Sequence, residues 1–145
     1  MRILFTASEA FPLAKVGGLA DVTSSLAIAL LHLGHEPCLI LPNYGSIKAP
    51  VQDIRGKSVA VSLRGHSESA TLKKTTLKGK IPVYLVENQR YFGVEEIYAQ
   101  GELERFLFFS LSIPSIISQL DFPASIPVSF LLGGSFSRWL AQKVP

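Results

Sequence analysis

Apolar and polar positions follow three successive patterns along the first forty-odd residues. "RILFTA" (2–7) is a continuous apolar run with β-favouring members, the pattern of a strand buried on both faces of a parallel sheet. "SEAFPLAKVGG" (8–18) breaks that run with Pro12 and two glycines and reads as a loop. From Leu19 the spacing becomes helical: Leu19, Val22, Leu26, Leu30 and Leu33 lie 3, 4, 4 and 3 residues apart, one stripe of the kind that packs on a core. Gly34 stands where a C-terminal glycine cap belongs. "PCLILP" (37–42) is a second short buried strand, its prolines at the ends, where they cost no central ladder bond. Strand, loop, helix and strand in this order make a βαβ unit with a right-handed crossover and a parallel sheet.

Farther on, "SVAVSLR" (58–64) and "SATLKKTTL" (69–77) alternate as paired antiparallel strands do, and "IPVYLVE" (81–87) is continuous and apolar, returning to the main sheet. "ELERFLFFSLSI" (102–113) opens with two acids, favourable at a helix N-terminus, and continues with a dense apolar face. Pro114 is expected to kink or end that helix. The stretch 122–145, rich in Ser, Gly and Pro, keeps no clean period and predicts no element.

Composition adds bounds. The chain has 145 residues, 48% hydrophobic and 17% charged, enough for one ordinary domain with a real core. The net charge is +3, and its basic residues cluster between Arg55 and Lys80. No aromatic residue interleaves them, so a solvated hairpin is favoured over a nucleic-acid surface. The single cysteine, Cys38, lies in an apolar run, cannot form an internal disulfide, and fits a buried thiol in a reducing compartment. Glu9 interrupts the N-terminal apolar stretch too early for a signal peptide, and no run reaches the roughly 18 apolar residues of a membrane span. The expectation is a cytoplasmic protein without membrane contact.

The loop 8–18 carries the candidate chemistry. It lies where a parallel strand feeds a helix, the side on which ligands bind such sheets. Its glycines meet the helix N-terminus, whose free amides and dipole favour an anion, and Lys15 adds a full positive charge. Neither the dinucleotide fingerprint G-x-G-x-x-G nor the Walker pattern is present: the glycines are adjacent and the lysine precedes them. On spacing alone two readings stand side by side, a cradle for a diphosphate and a glycine-eased turn with a solvated lysine.

Larger segments carry a resemblance. Ser8, Glu9, Pro12, Lys15, Gly17, Gly18, Leu19, Asp21 and Val22, followed by Gly34, His35, Glu36, Pro42 and Tyr44, resemble the N-terminal pattern of bacterial glycogen synthases and plant starch synthases, glycosyltransferase family 5. "YFGVEEIYAQGELERFLFFS" (91–110) is similar to a later segment of the same family. The resemblance implies an α/β fold: a Rossmann-like parallel sheet, here the incomplete N-terminal domain of a two-domain glycosyltransferase of the GT-B type. It implies retaining transfer of glucose from ADP-glucose, or UDP-glucose in some members, to the 4-OH of an α-1,4-glucan such as glycogen, without a metal or other cofactor. By match, Lys15 pairs with the donor phosphates and Gly18, beside Gly17, offers its backbone N–H. Asp21 holds the donor or orders the helix start, and Glu9 faces the cleft or is a surface acid.

The chain also departs from that pattern. Val94 stands where the family usually has Arg. After Asp121 the expected strand with its histidine and aspartate is replaced by "PASIPVSFLLGGSFSRWLAQKVP" (123–145). The expectation is a starch synthase N-terminal region over 1–121 and a divergent tail over 122–145, as a truncated or frameshifted gene would encode. Such a chain is expected to be inactive in transfer. The alternative is a free-standing nucleotide-sugar-binding or interaction module.

Overall fold

A computed structural model describes residues 1–98 and 101–130. Strand β1 (Arg2–Ala7) leads through the glycine loop into helix α1 (Gly18–His32), and β2 (Glu36–Pro42) follows. Two long strands, β3 (Gln52–Leu63) and β4 (His66–Leu77), form a hairpin before β5 (Ile81–Glu87). The short helix α2 (Gln89–Phe92), the helix α3 (Glu102–Ile117) and strand β6 (Ile126–Phe130) complete the order.

One six-stranded sheet runs β3-β4-β5-β2-β1-β6. Its centre is parallel, as the βαβ pattern requires: β1 pairs with β2 and β6, and β2 pairs with β5. The hairpin makes the sheet mixed rather than purely parallel, because β4 joins β5 antiparallel. The short turn at Lys78 (φ 52°) and Gly79 (φ 68°) leaves no length for a crossover, so only antiparallel pairing is possible. The hairpin tip is equally tight, with Arg64 (φ 49°) and Gly65 (φ 80°) both left-handed, as a primed turn demands. On the outer strand β3 the register shifts between Asp53 and Ser58.

Helices cover opposite faces. Leu4, Ile40, Val86 and Tyr84 pack with Phe106, Phe109, Ile113 and Ile116 of α3. Phe5, Leu39, Leu41, Val83 and Leu85 form the other face with Ala27 of α1. Cys38 is fully buried on the α3 side, and burial pushes its thiol up to about 12.

Three expectations change. The leucine stripe is not the buried side of α1: Val22 is 52% exposed and Leu33 74%, whereas Ala20, Thr23, Ser24 and Ala27 face the sheet. Small residues let the helix lie close, and the two hydroxyls are satisfied locally, Thr23 by the Leu19 carbonyl (2.8 Å) and Ser24 by that of Phe11 (2.7 Å). The helix stop is as expected, since Gly34 (φ 83°) supports paired bonds from its own N–H to Leu31 (3.1 Å) and from His35 to Leu30 (3.0 Å). Pro114 lies inside α3 without ending it, because the buried face runs through it, with Ile113 before and Ile116 after both fully buried. Finally, the supposedly elementless segment supplies β6, whose Phe130 stacks on Phe5 at 6.1 Å. Its alternation is only five residues long and is masked by Pro127. The remainder of that segment, 131–145, lies outside the described residues.

Because proline gives the Ser110 carbonyl no i+4 donor, Pro114→Ala should stabilise the chain by about 1 to 3 kcal/mol in urea unfolding. A loss of stability would show that packing of the ring outweighs the missing bond.

Candidate functional site

Strand β1 delivers the chain to the carboxyl edge of the parallel strands, and residues 8–17 double back there. Ala10 and Ala14 exchange backbone hydrogen bonds (3.0 and 2.9 Å) around a cis Phe11–Pro12 peptide. The Phe11 N–H donates to the Ala20 carbonyl at 3.2 Å, and Ser24 binds the Phe11 carbonyl, so the loop is stitched to α1 on both sides of one residue.

Glu9 is 1% exposed and turns inward, which corrects the expectation that it faces the cleft or lies at the surface. One carboxylate oxygen accepts the Val16 and Gly17 N–H groups at 2.7 and 3.0 Å, and the other accepts the Tyr98 hydroxyl. Burial raises its pKa, but the three donors outweigh it and hold the carboxyl below its ordinary value of 4.5. The reciprocal effect appears at Tyr98, whose hydroxyl burial and the Glu9 bond push up to about 12. Tyr98 also lies 3.3 Å from the Ser8 hydroxyl, and the buried Tyr44 donates to the Ser8 carbonyl at 3.0 Å.

The other candidates face outward. Lys15 Nζ meets both oxygens of Asp21 (2.8 and 2.7 Å), sits 5.3 Å from the centre of the Phe11 ring, and is 42% exposed. Asp21 therefore holds the lysine over the first turn of α1. Gly17 is the N-cap, with no side-chain cap bond there, and its amide is already given to Glu9. Gly18 begins the helix. A Cβ at either glycine would meet nothing within 4 Å, and Gly17 has an ordinary extended φ of −133°. Neither left-handed backbone nor internal crowding requires glycine here, which removes the reason for a glycine-eased turn. What the two hydrogens leave is open space above uncapped amides beside an ammonium group, an arrangement suited to an anion's oxygens.

Beside it opens a cavity of about 690 Å³ lined by the loop from Phe11 to Val16, by Ser46 after β2, and by Glu95, Glu96, Ile97 and Tyr98. Lys15 and the two glutamates thus line it with charges of both signs. Sequence reasoning placed Tyr98 within a matching segment but assigned it no role. Its partner Glu9 is 89 residues away in the chain, a pairing no local pattern reveals. Among the described residues no helix is long and apolar enough to cross a membrane.

The family model described as the starch synthase catalytic domain matches residues 2–128. A glycogen synthase of Geotalea uraniireducens is 42% identical over 130 residues, and glycogen synthase 2 of Geobacter metallireducens 40% over 131; each match covers 84% of this chain and 27% of the relative. The chain therefore spans about a quarter of the length of these curated relatives. Among solved structures, the catalytic domain of starch synthase IV from Arabidopsis thaliana, bound to ADP and acarbose, superposes with a TM-score of 0.79 at 26% identity. That match covers 88% of this chain and 27% of the plant chain, and bears out the expected GT-B glycosyltransferase fold over the matched part.

The three donors on Glu9 make a pH-dependent contribution to stability. Its folded pKa lies below the unfolded one, so the contribution is complete above the ordinary carboxylate range and is lost as pH falls through the folded value. Replacing Glu9 by Gln should cost roughly 1 to 3 kcal/mol at pH 7. The gap from the unsubstituted chain should begin to narrow as pH falls into the ordinary carboxylate range and close only once pH passes below the depressed folded value. Urea titrations of both proteins at several pH values check this, and a pH-independent gap would contradict it.

Proposed function

The chain belongs to the starch synthase catalytic domain family, and from that premise we propose that its glycine loop binds the diphosphate of a nucleotide-sugar donor in glycogen or starch synthesis. The donor is ADP-glucose, with UDP-glucose as the alternative, and the acceptor is an α-1,4-glucan. One observation carries the reading: at Gly17 and Gly18 the fold itself has no use for glycine, yet a side chain there would enter the space above the helix amides.

The roles follow from position. An incoming diphosphate draws Lys15 partly from Asp21, and the lysine supplies the full charge that outlasts departure of the sugar. Gly18 offers its amide at the helix start, where the aligned peptide dipoles favour negative charge. Asp21 keeps the ammonium group at that spot before the donor arrives. Gly17 contributes mainly through its missing side chain, since its N–H is held by Glu9. In retaining transfer the nucleoside diphosphate leaves with developing negative charge, and donors already aimed at it lower the barrier without having to reorganise.

These groups serve one side of the donor. The relatives devote nearly three quarters of their length to residues without a counterpart in their match to this chain. Binding and turnover are therefore proposed to separate: the chain retains donor affinity but does not transfer glucose alone, behaving as a nucleotide-sugar-binding module.

Calorimetry with ADP and ADP-glucose tests the loop. The unsubstituted chain should bind ADP, and Lys15→Ala should weaken it about tenfold, the scale of one charge-assisted contact. Gly18→Ala should also lose affinity while leaving urea stability unchanged or slightly higher, because alanine favours the helix. Equal ADP affinity in all three proteins would overturn the assignment.

A second measurement addresses turnover. Incubation with labelled ADP-glucose and glycogen should give no incorporation above background; labelled glucan would refute the separation of binding from transfer.

A further inference from the structure

Glu9 is a buried carboxylate with no cation within salt-bridge distance among the described residues. Such a group stays charged only while hydrogen-bond donors occupy its oxygens. Two of them, the Val16 and Gly17 amides, belong to the loop it shapes. The third, the Tyr98 hydroxyl, comes from the segment before α3 and takes the other oxygen by itself.

Tyr98 is in turn held from α3. Arg105, 6% exposed, donates to the carbonyls of Glu96 (3.0 Å) and Ile97 (2.9 Å), and the Tyr98 ring packs 5.9 Å from that of Phe106. A continuous set of contacts therefore runs from α3 to the 96–98 segment, across one hydroxyl to Glu9, and into the backbone on which Lys15 and Gly18 are displayed. Without the hydroxyl, one oxygen of Glu9 would be buried and unpaired. The carboxyl would then either take up a proton or turn towards water, and both responses loosen the Val16 and Gly17 amides.

We infer that Tyr98 is a positioning residue for the glycine loop: through Glu9 it holds Val16 and Gly17 in the conformation that presents Lys15 and Gly18 to an anion. The consequence for ligand affinity rests on the diphosphate reading above; the consequence for the loop backbone does not.

The test uses the full chain and Tyr98→Phe, which keeps the ring against Phe106. Amide hydrogen exchange at Val16 and Gly17 should accelerate about tenfold, the scale of one lost buried hydrogen bond, while exchange in β1, β2 and β5 stays unchanged. ADP affinity should fall by a similar factor at pH 7. With the Tyr98 donor gone, Glu9 should titrate at higher pH than in the unsubstituted chain, so as pH falls the loop amides of Tyr98→Phe should lose protection before those of the unsubstituted chain do. In a Glu9→Gln background, adding Tyr98→Phe should change ADP affinity less than twofold, because the route through the carboxylate is already broken. Unchanged exchange at Val16 and Gly17, or an equal loss of affinity in both backgrounds, would overturn the inference. If the unsubstituted chain fails to bind ADP, the diphosphate reading falls, and the exchange arm alone decides the role of Tyr98.

Discussion

A carboxylate withdrawn from water and given no cation must have its oxygens filled by neutral donors, and the region above the sheet is arranged around that requirement at Glu9. Its three donors come from two parts of the chain that no secondary structure joins: Val16 and Gly17 on the loop, Tyr98 near α3. Satisfying one acid therefore brings together the end of β1, the start of α1 and the approach to α3. Through Ser8, Tyr44 extends the same contact region to the end of β2. The outward features, Lys15, Asp21 and Gly18, owe their placement to bonds made on the inner side of the loop.

The loop divides its polar groups by direction. Those pointing inward are neutral donors around a charge and are occupied. Those pointing outward include a cation beside a carboxylate, both well solvated, whose mutual attraction is weak enough to be exchanged for a stronger anion. Rigidity and availability thus come from adjacent residues of one motif, which explains how Glu9 and Lys15 share a pattern yet do opposite things.

Much of this was legible in the sequence, because local rules decided it. The β1-α1-β2 unit follows from two apolar runs around a helical stretch, and Gly34 marks its stop because only that position needs a left-handed residue. The resemblance to starch synthases likewise rested on residues at fixed spacing within two continuous segments, 8–44 and 91–110. Failures came where distant partners decide. The leucines of α1 are the more hydrophobic stripe, but Ala20, Thr23, Ser24 and Ala27 allow the closer approach to the sheet. Pro114 is tolerated because of what Ile113 and Ile116 touch. The 126–130 strand exists because β1 lies beside it to be paired and Phe5 to be stacked upon. Glu9 looked like a ligand-facing acid because nothing near it in sequence announces Tyr98.

The outer strand β3 has one more consequence. The irregularity between Asp53 and Ser58 surrounds a left-handed Gly56 and brings Arg55 and Lys57 to the sheet margin. A kinked, cationic margin is a poor template for another strand. At the opposite margin β6 is short and half-buried, with Ile126, Val128 and Phe130 along it and no charged residue in the strand. Among the described residues the two margins of the sheet therefore differ in chemistry: the hairpin side discourages another strand, whereas β6 presents an uncharged, partly apolar one.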